Sequence, residues 1–298
     1  MDADKVSEFW GRRIETSTPA HWLEHPTCRQ LINKRATGDA NKEIFECLRR
    51  QYLPEPADLA LSLGSGFGAF DRMAIKNNFA RRIHAFDLST NAVAQATTAA
   101  EAEGLADRIQ YSVADLNSIQ LPSKQYDAVF AIAAVHHIFQ LEDLFKRILN
   151  TMKPNAIFIL DEYIGPSRFQ MSPVVTELIN RIISSLPKKY RLNLFAKDGS
   201  FINDYNPPPI SWFEENDPSE SVRSGEIVET LRMYFDIVEY KPYGGGILQM
   251  LLSGIAGNFD PEEENDVCIL TLLSTLEEFL ERAGAIESTM AAIICRAK

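Results

Sequence analysis

The chain has 298 residues, 45% of them hydrophobic, and a formal net charge of −11, with an isoelectric point near 5.0. That is enough sequence for one large globular domain with additions, and the acidity argues against a protein that binds by neutralising nucleic-acid phosphates. Cys28, Cys47, Cys268 and Cys295 lie far apart, without the paired spacing that holds zinc or an iron–sulfur cluster, so no metal site is expected.

Residues 1–40 hold Trp10, Trp22, His21 and His25 in a polar stretch divided by Pro19 and Pro26, and read as a helical cap. Within it, Cys28 to Ala36 has helical composition, stopped after Lys34-Arg35 by Thr37-Gly38-Asp39. A cation at a helix C-terminus is favourable there, and facing a ligand is the other reading for Arg35. Asn41 is expected to cap a helix through Tyr52, with Ile44, Phe45, Leu48 and Tyr52 on one face.

Leu59 to Gly68 then reads Leu-Ala-Leu-Ser-Leu-Gly-Ser-Gly-Phe-Gly, a buried strand delivering a tight turn before a helix that starts near Ala69 and reaches Phe79. Glycine lets the backbone approach a ligand, and the unpaired N–H groups of the helix start suit a carboxylate or phosphate. A second strand, Ile83 to Phe86, ends in Asp87, placed about 20 residues after the turn, where an acid accepts hydrogen bonds from ribose hydroxyls. Asn91 to Ala106 is an alanine-rich helix, and Leu141 to Met152 a second amphipathic one. Strand and helix thus alternate from Ala57 to Asp161, which makes a parallel sheet with ligands at the carboxyl ends of its strands.

After Tyr163 the rhythm changes. Pro173 to Leu186 looks helical, followed by a polar, proline-rich passage to Pro218. Residues 166–225 are expected to be a cover on the substrate side, with Arg168 and Arg223 its cations of interest. Glu226 to Met233 reads as a helix, Phe235 to Lys241 as a strand, Gly244 to Gly246 as a bend, Cys268 to Ala283 as an amphipathic helix and Met290 to Cys295 as the last strand. The apolar run Ile247 to Ile255 suits a buried helix, an oligomer surface or the wall of an acceptor pocket.

Gly64, Gly66 and Gly68 form Gly-x-Gly-x-Gly, not the Gly-x-Gly-x-x-Gly of nicotinamide enzymes. This turn, with Tyr111 to Leu116 like the third motif, Tyr126 to Ile132 like the fourth strand continued to Ile138, and Leu149 to Ala156 like the turn that opens a fifth strand, Ile157 to Asp161, resembles the class I S-adenosylmethionine-dependent methyltransferases over about half the chain. Departing from that family, which usually has an acid two residues before the first glycine, the chain has Ser62 there. Two further stretches, Asp161 to Gln170 and Asp217 to Ser224, resemble a bacterial small-molecule branch.

The resemblance implies an α/β, doubly wound, mostly parallel seven-stranded sheet whose last strand is antiparallel. Its expected layout is a cap (1–40), a cofactor-binding core (41–165), a substrate-side insertion (166–225) and a C-terminal completion of the sheet (226–298). It implies S-adenosylmethionine as cofactor and S-adenosylhomocysteine as product, held by Gly64, Ser65, Gly66, Gly68, Asp87, Leu88, Asp115, Leu116 and Ala133. In this family Asp115 lies against the adenine amino group.

His136 and His137 follow the fourth strand at the edge where the methyl group lies, which makes them the candidate bases for a hydroxyl acceptor, with packing or helix capping as the alternative. Glu162, Tyr163 and Arg168 are the candidate acceptor contacts. The acceptor is expected to be a small molecule, because Asn206-Pro207-Pro208-Pro209 stands in the wrong place, and without the aromatic residue, for a base-methylating motif. A cytoplasmic enzyme able to form a homo-oligomer, with neither membrane nor nucleic-acid partner, is expected. The alternatives are a protein that binds S-adenosylmethionine without turnover and a nicotinamide dehydrogenase.

Overall fold

The computed structural model describes residues 5–7, 9 and 20–298 except Lys197, so Trp10 and Pro19 of the cap lie outside the described residues. A short turn, Trp22–Glu24, leads into helix α1 (Pro26–Thr37). Proline fits the first helical turn, where its missing N–H is no loss. Gly38, at φ 82°, ends the helix in the left-handed conformation that glycine adopts without strain. Helix α2 (Ile44–Tyr52) starts from Glu43, not from Asn41, whose N–H instead donates to Asp39 in a turn.

The core then alternates: β1 (Ala60–Leu63), α3 (Ala69–Lys76), β2 (Ile83–Asp87), α4 (Thr90–Ala102), β3 (Ile109–Val113), β4 (Tyr126–Ile132), α5 (Leu141–Thr151) and β5 (Met152–Tyr163). Ser89 starts α4 by accepting from Ala92 N. This helix stops four residues short of Ala106, because the chain turns at Gly104. Strand β5 begins earlier than Ile157, since Met152 already pairs with Tyr126 across a register shift.

The insertion carries α6 (Pro173–Ser185) and a short α7 (Ile210–Asn216), the latter inside the passage read as irregular. The completion adds α8 (Ile227–Tyr234), β6 (Phe235–Gly244), α9 (Leu248–Leu251), α10 (Glu264–Arg282) and β7 (Met290–Ala297).

The seven strands lie in the order β3-β2-β1-β4-β5-β7-β6. All neighbours in the first five are parallel, whereas β7 runs antiparallel between β5 and β6. The doubly wound sheet with an antiparallel last strand is therefore present. Apolar side chains fill both faces: Phe79, Phe130 and Ile159 on one, Phe145, Phe158 and Phe235 on the other. Crossing from β1 to β2 on one side and to β4 on the other reverses the winding direction at β1, and such a switch point opens a crevice at the carboxyl end.

Ile247, Leu248, Leu251, Leu252 and Ile255 are buried, so the apolar run is core and not an oligomer surface. The cap lies near the carboxyl end of β6. Ala20 O accepts from Gly254 N, and Arg35 pairs with Glu277 and Glu281 of α10. Arg35 is thus spent on α10 and does not face a ligand. Glu277, wholly buried, also accepts from Gly245, Ile247 and Leu248 N, and so holds the Gly244–Gly246 bend.

Candidate active site

The site is built from the turns that leave β1, β2 and β4. Gly64, Gly66 and Gly68 have φ of 67°, 51° and 73°, all left-handed, which is the conformation the glycine spacing supplies. A Cβ on Gly64 would overlap Ala134 Cβ, so the glycine turn and the turn carrying His136 and His137 touch. A Cβ on Gly66 would meet nothing within 4 Å, which leaves space for a ligand against its backbone.

Asp87 holds this turn. Its Oδ2 accepts from Gly66 N at 2.8 Å and its Oδ1 from Ser89 N at 2.8 Å, while burial raises its pKa above the usual carboxylate range. Leu88 continues from it. Asp115 Oδ1 accepts from Asn117 N and Nδ2, and Leu116 is buried with its carbonyl bonded to Arg147. Ala133 has φ 51° and donates its N–H to Asp161 O at 2.7 Å, a strained conformation that turns the chain into the histidine pair. All nine residues expected to bind cofactor lie along this carboxyl edge.

A cavity of about 280 Å³ opens beside the glycine turn, lined by Ser62, Gly64, Ser65, Phe70, Asp71 and Ile132, among others. Asp71, in the first turn of α3, is completely buried, and neither of its carboxylate oxygens has a hydrogen-bond partner; the Ser65 hydroxyl is unpartnered too. Burial pushes the Asp71 carboxyl up to about 7, opposed by the nearby Ser62 and Tyr111 hydroxyls and Arg72. Orphaned buried polar groups are costly, and native proteins satisfy them with a ligand or water. The cavity suits one end of a ligand, being smaller than the roughly 300–1,000 Å³ of whole ligand sites. Sequence reading missed Asp71, because one acid on a helix reads as solvated; the missing acid at position 62 is the signal that could have directed attention to it.

The histidine pair sits on a short turn, Val135–His137, after β4. Glu162, wholly buried on β5, accepts from Ala134 N (2.6 Å) and Val135 N (2.5 Å) and meets His136 Nδ1 at 2.7 Å. Burial alone would lower the pKa of His136, but Glu162, with Glu220 and Asp217, raises it. Burial and the neighbouring His136 ring, 4.1 Å away between centroids, push His137 down.

The insertion closes this turn from outside. Val222 N donates to His136 O, and His137 Nδ1 meets Ser219 Oγ at 3.1 Å. Arg168, at φ 57°, gives its guanidinium to Pro218 O and Glu220 O and so ties down the loop 217–222. Arg223 pairs through both Nη atoms with Glu142. The polar groups of three expected acceptor contacts are engaged internally: Glu162 as above, Arg168 on this loop, and Tyr163, buried, through its hydroxyl on Pro166 O. The structure thus gives Glu162 and Arg168 positioning tasks.

Comparison with known proteins matches residues 61–160 to the family described as Methyltransferase domain. Sterol 24-C-methyltransferase ERG6B of Gibberella zeae is 30% identical over 110 residues, 37% of this chain and 29% of that protein. Erythromycin 3''-O-methyltransferase of Saccharopolyspora erythraea is 25% identical over 126 residues, 42% of this chain and 41% of that one. The chain therefore spans about a quarter to two fifths of the length of the curated relatives it matches.

Among solved structures, the geranyl diphosphate C-methyltransferase of Streptomyces coelicolor A3(2) superposes with TM-score 0.54 at 10% identity, covering 99% of this chain and 97% of that one. The [4+2]-cyclase SpnF gives 0.52 at 14%, covering 99% and 92%. The fold is Rossmann-like, and the methyltransferase-domain match falls on residues 61–160 within it.

Proposed function

We propose that the chain is a methyltransferase that uses S-adenosylmethionine to methylate oxygen or nitrogen of a small molecule, consistent with a bacterial small-molecule branch. The observation that carries this reading is the cavity at the glycine turn, where the buried Asp71 carboxylate and Ser65 hydroxyl stand unpartnered inside the matched domain. A cationic ligand end, such as the ammonium of a methionine arm, complements that carboxylate. Gly66 and Gly68 would line its backbone path, Asp87 and Leu88 its ribose, and Asp115 and Leu116 its adenine. When bound, the cofactor supplies a methyl group on a sulfonium.

The protein's task is then to place an acceptor lone pair in line with the carbon–sulfur bond and to exclude water. That methyl carbon would bond to the acceptor lone pair as its bond to sulfur broke, leaving the electron pair on sulfur. For a hydroxyl acceptor, His136 and His137 stand at the edge where the proton would be received, and Glu162 fixes the orientation of His136. The loop 217–222, tied down by Arg168, covers this turn and would exclude water from it. Erythromycin 3''-O-methyltransferase among the relatives agrees with a small-molecule acceptor.

Binding without turnover is the second reading; it rests on Ser62 standing where the family has an acid, and Asp71 beside Ser62 supplies a buried acid from the next helix. Incubation of the chain with methyl-labelled S-adenosylmethionine and a panel of hydroxyl and amine acceptors separates the two. Transfer of label to at least one acceptor class supports the enzyme. Tight cofactor binding with no label leaving the cofactor across the panel supports binding alone.

A further inference from the structure

Beyond methyl transfer, we propose that His136, His137 and Glu220 bind a divalent transition-metal cation at the mouth of the site. One ligand atom of each lies within 4.8 Å of the others, and His136 Nε2 is 3.7 Å from Glu220 Oε1. Two imidazoles and one carboxylate are a ligand set for first-row divalent ions that leaves coordination positions open.

The surroundings have the form of an outer shell. His136 Nδ1 is held by the Glu162 carboxylate at 2.7 Å, which orients the ring and leaves Nε2 directed toward Glu220. His137 Nδ1 meets Ser219 Oγ at 3.1 Å, and that hydroxyl donates to Asp217 Oδ1 at 2.6 Å. Carboxylate or hydroxyl partners on the remote nitrogen of a ligating histidine are the usual device for fixing its orientation.

Charge points the same way and is an independent observation. Asp217 is completely buried and its Oδ2 has no hydrogen-bond partner. Among the described residues, Glu162, Asp217 and Glu220 gather around the two rings, and the Arg168 guanidinium faces Asp217 and Glu220. Imidazole donors favour zinc, copper, iron or nickel over calcium or magnesium. The open positions suit an acceptor that brings a hydroxyl or carboxylate oxygen, and a bound cation would take over from the imidazoles the task of making such a hydroxyl acidic.

No pairing of this kind shows in sequence spacing, since Glu220 comes from the insertion and meets the pair only after folding. The absence of a metal site expected from cysteine and histidine spacing concerned neighbours along the chain.

The test uses the full chain, stripped with EDTA and titrated with Co²⁺ while the visible absorption bands are followed, with Zn²⁺ as competitor. One equivalent should bind, Glu220→Gln and His137→Gln should each weaken uptake at least about tenfold, and Glu162→Gln by about 10-fold or more through the outer shell. X-ray absorption of the wild-type cobalt complex, which needs no variant, should show two imidazole ligands. Lack of uptake, uptake insensitive to Glu220→Gln and His137→Gln, or a spectrum with fewer than two imidazoles overturns the site and leaves an internal ion pair only. Cation uptake requires neither cofactor nor methyl transfer, so its failure leaves the proposed function standing, and the converse also holds.

Discussion

Replacing Asp71 by Asn should make the protein more stable at high pH and poorer at binding S-adenosylmethionine. The carboxyl rises from 3.8 to about 7 because burial penalises its charge. A carboxyl with a raised folded pKa holds its proton in the folded state after the unfolded chain has released it. The Asp71 contribution to wild-type stability therefore falls as pH climbs from about 4 to about 7, and is flat beyond.

About two pH units of that window lie between pH 5 and pH 7, and at 1.36 kcal/mol per unit they amount to about 2–3 kcal/mol. Asp71→Asn has no such proton to release. Its stability relative to wild type should rise by about that amount between pH 5 and pH 8, measured by urea unfolding at both values. Asp161, raised to about 6, and Glu281, raised to about 7, titrate in both proteins and cancel in the difference.

Calorimetry should give the opposite result for binding. A charged hydrogen bond contributes about 1.5–3 kcal/mol, so Asp71→Asn should weaken S-adenosylmethionine by about 10- to 100-fold. Wild-type affinity should rise with pH toward 7, since the cation prefers the ionised carboxylate. A variant with wild-type affinity and a stability difference that does not change with pH would refute this reasoning.

Two further outcomes follow from the same geometry. Asp87→Ala removes the acceptor of Gly66 N and Ser89 N, and should weaken cofactor binding by about 1–3 kcal/mol on calorimetry; unchanged affinity would separate Asp87 from the ribose. Glu277→Ala strips three backbone N–H groups and Arg35 of their buried partner, and should cost about 3–5 kcal/mol in urea unfolding. A loss below about 1 kcal/mol would mean that water replaces the carboxylate.

The alternating core was legible because strand burial, glycine turns and helix periodicity are local signals. Gly64 to Gly68, Asp87 and the histidine pair follow from position in that alternation, and the structure sets them on one edge. What was not legible depends on contacts between distant segments. Asp71 reads as an ordinary helix acid until the sheet buries it beside Ser62. Arg35 reads as a helix-end cation or a ligand contact and Arg223 as a cation of interest, yet Glu277, Glu281 and Glu142 come to meet them from other helices.

Glu220 and Ser219 come just after the proline-rich passage, without periodicity, and the Arg168 tie helps to place them over His136 and His137. Helix α7 hides in the same passage, started after three prolines by Ile210, with Phe213 as its buried anchor. The start of β5 was missed because Lys153-Pro154 looks like a turn, whereas pairing with β4 draws it into the sheet.

The claim that the glycine turn holds S-adenosylmethionine is tested most directly by calorimetric titration of the stripped full chain with S-adenosylmethionine, S-adenosylhomocysteine and NAD. Micromolar binding of the first two with no heat from NAD is the predicted result. Binding of NAD alone would contradict it and return the chain to the nicotinamide enzymes.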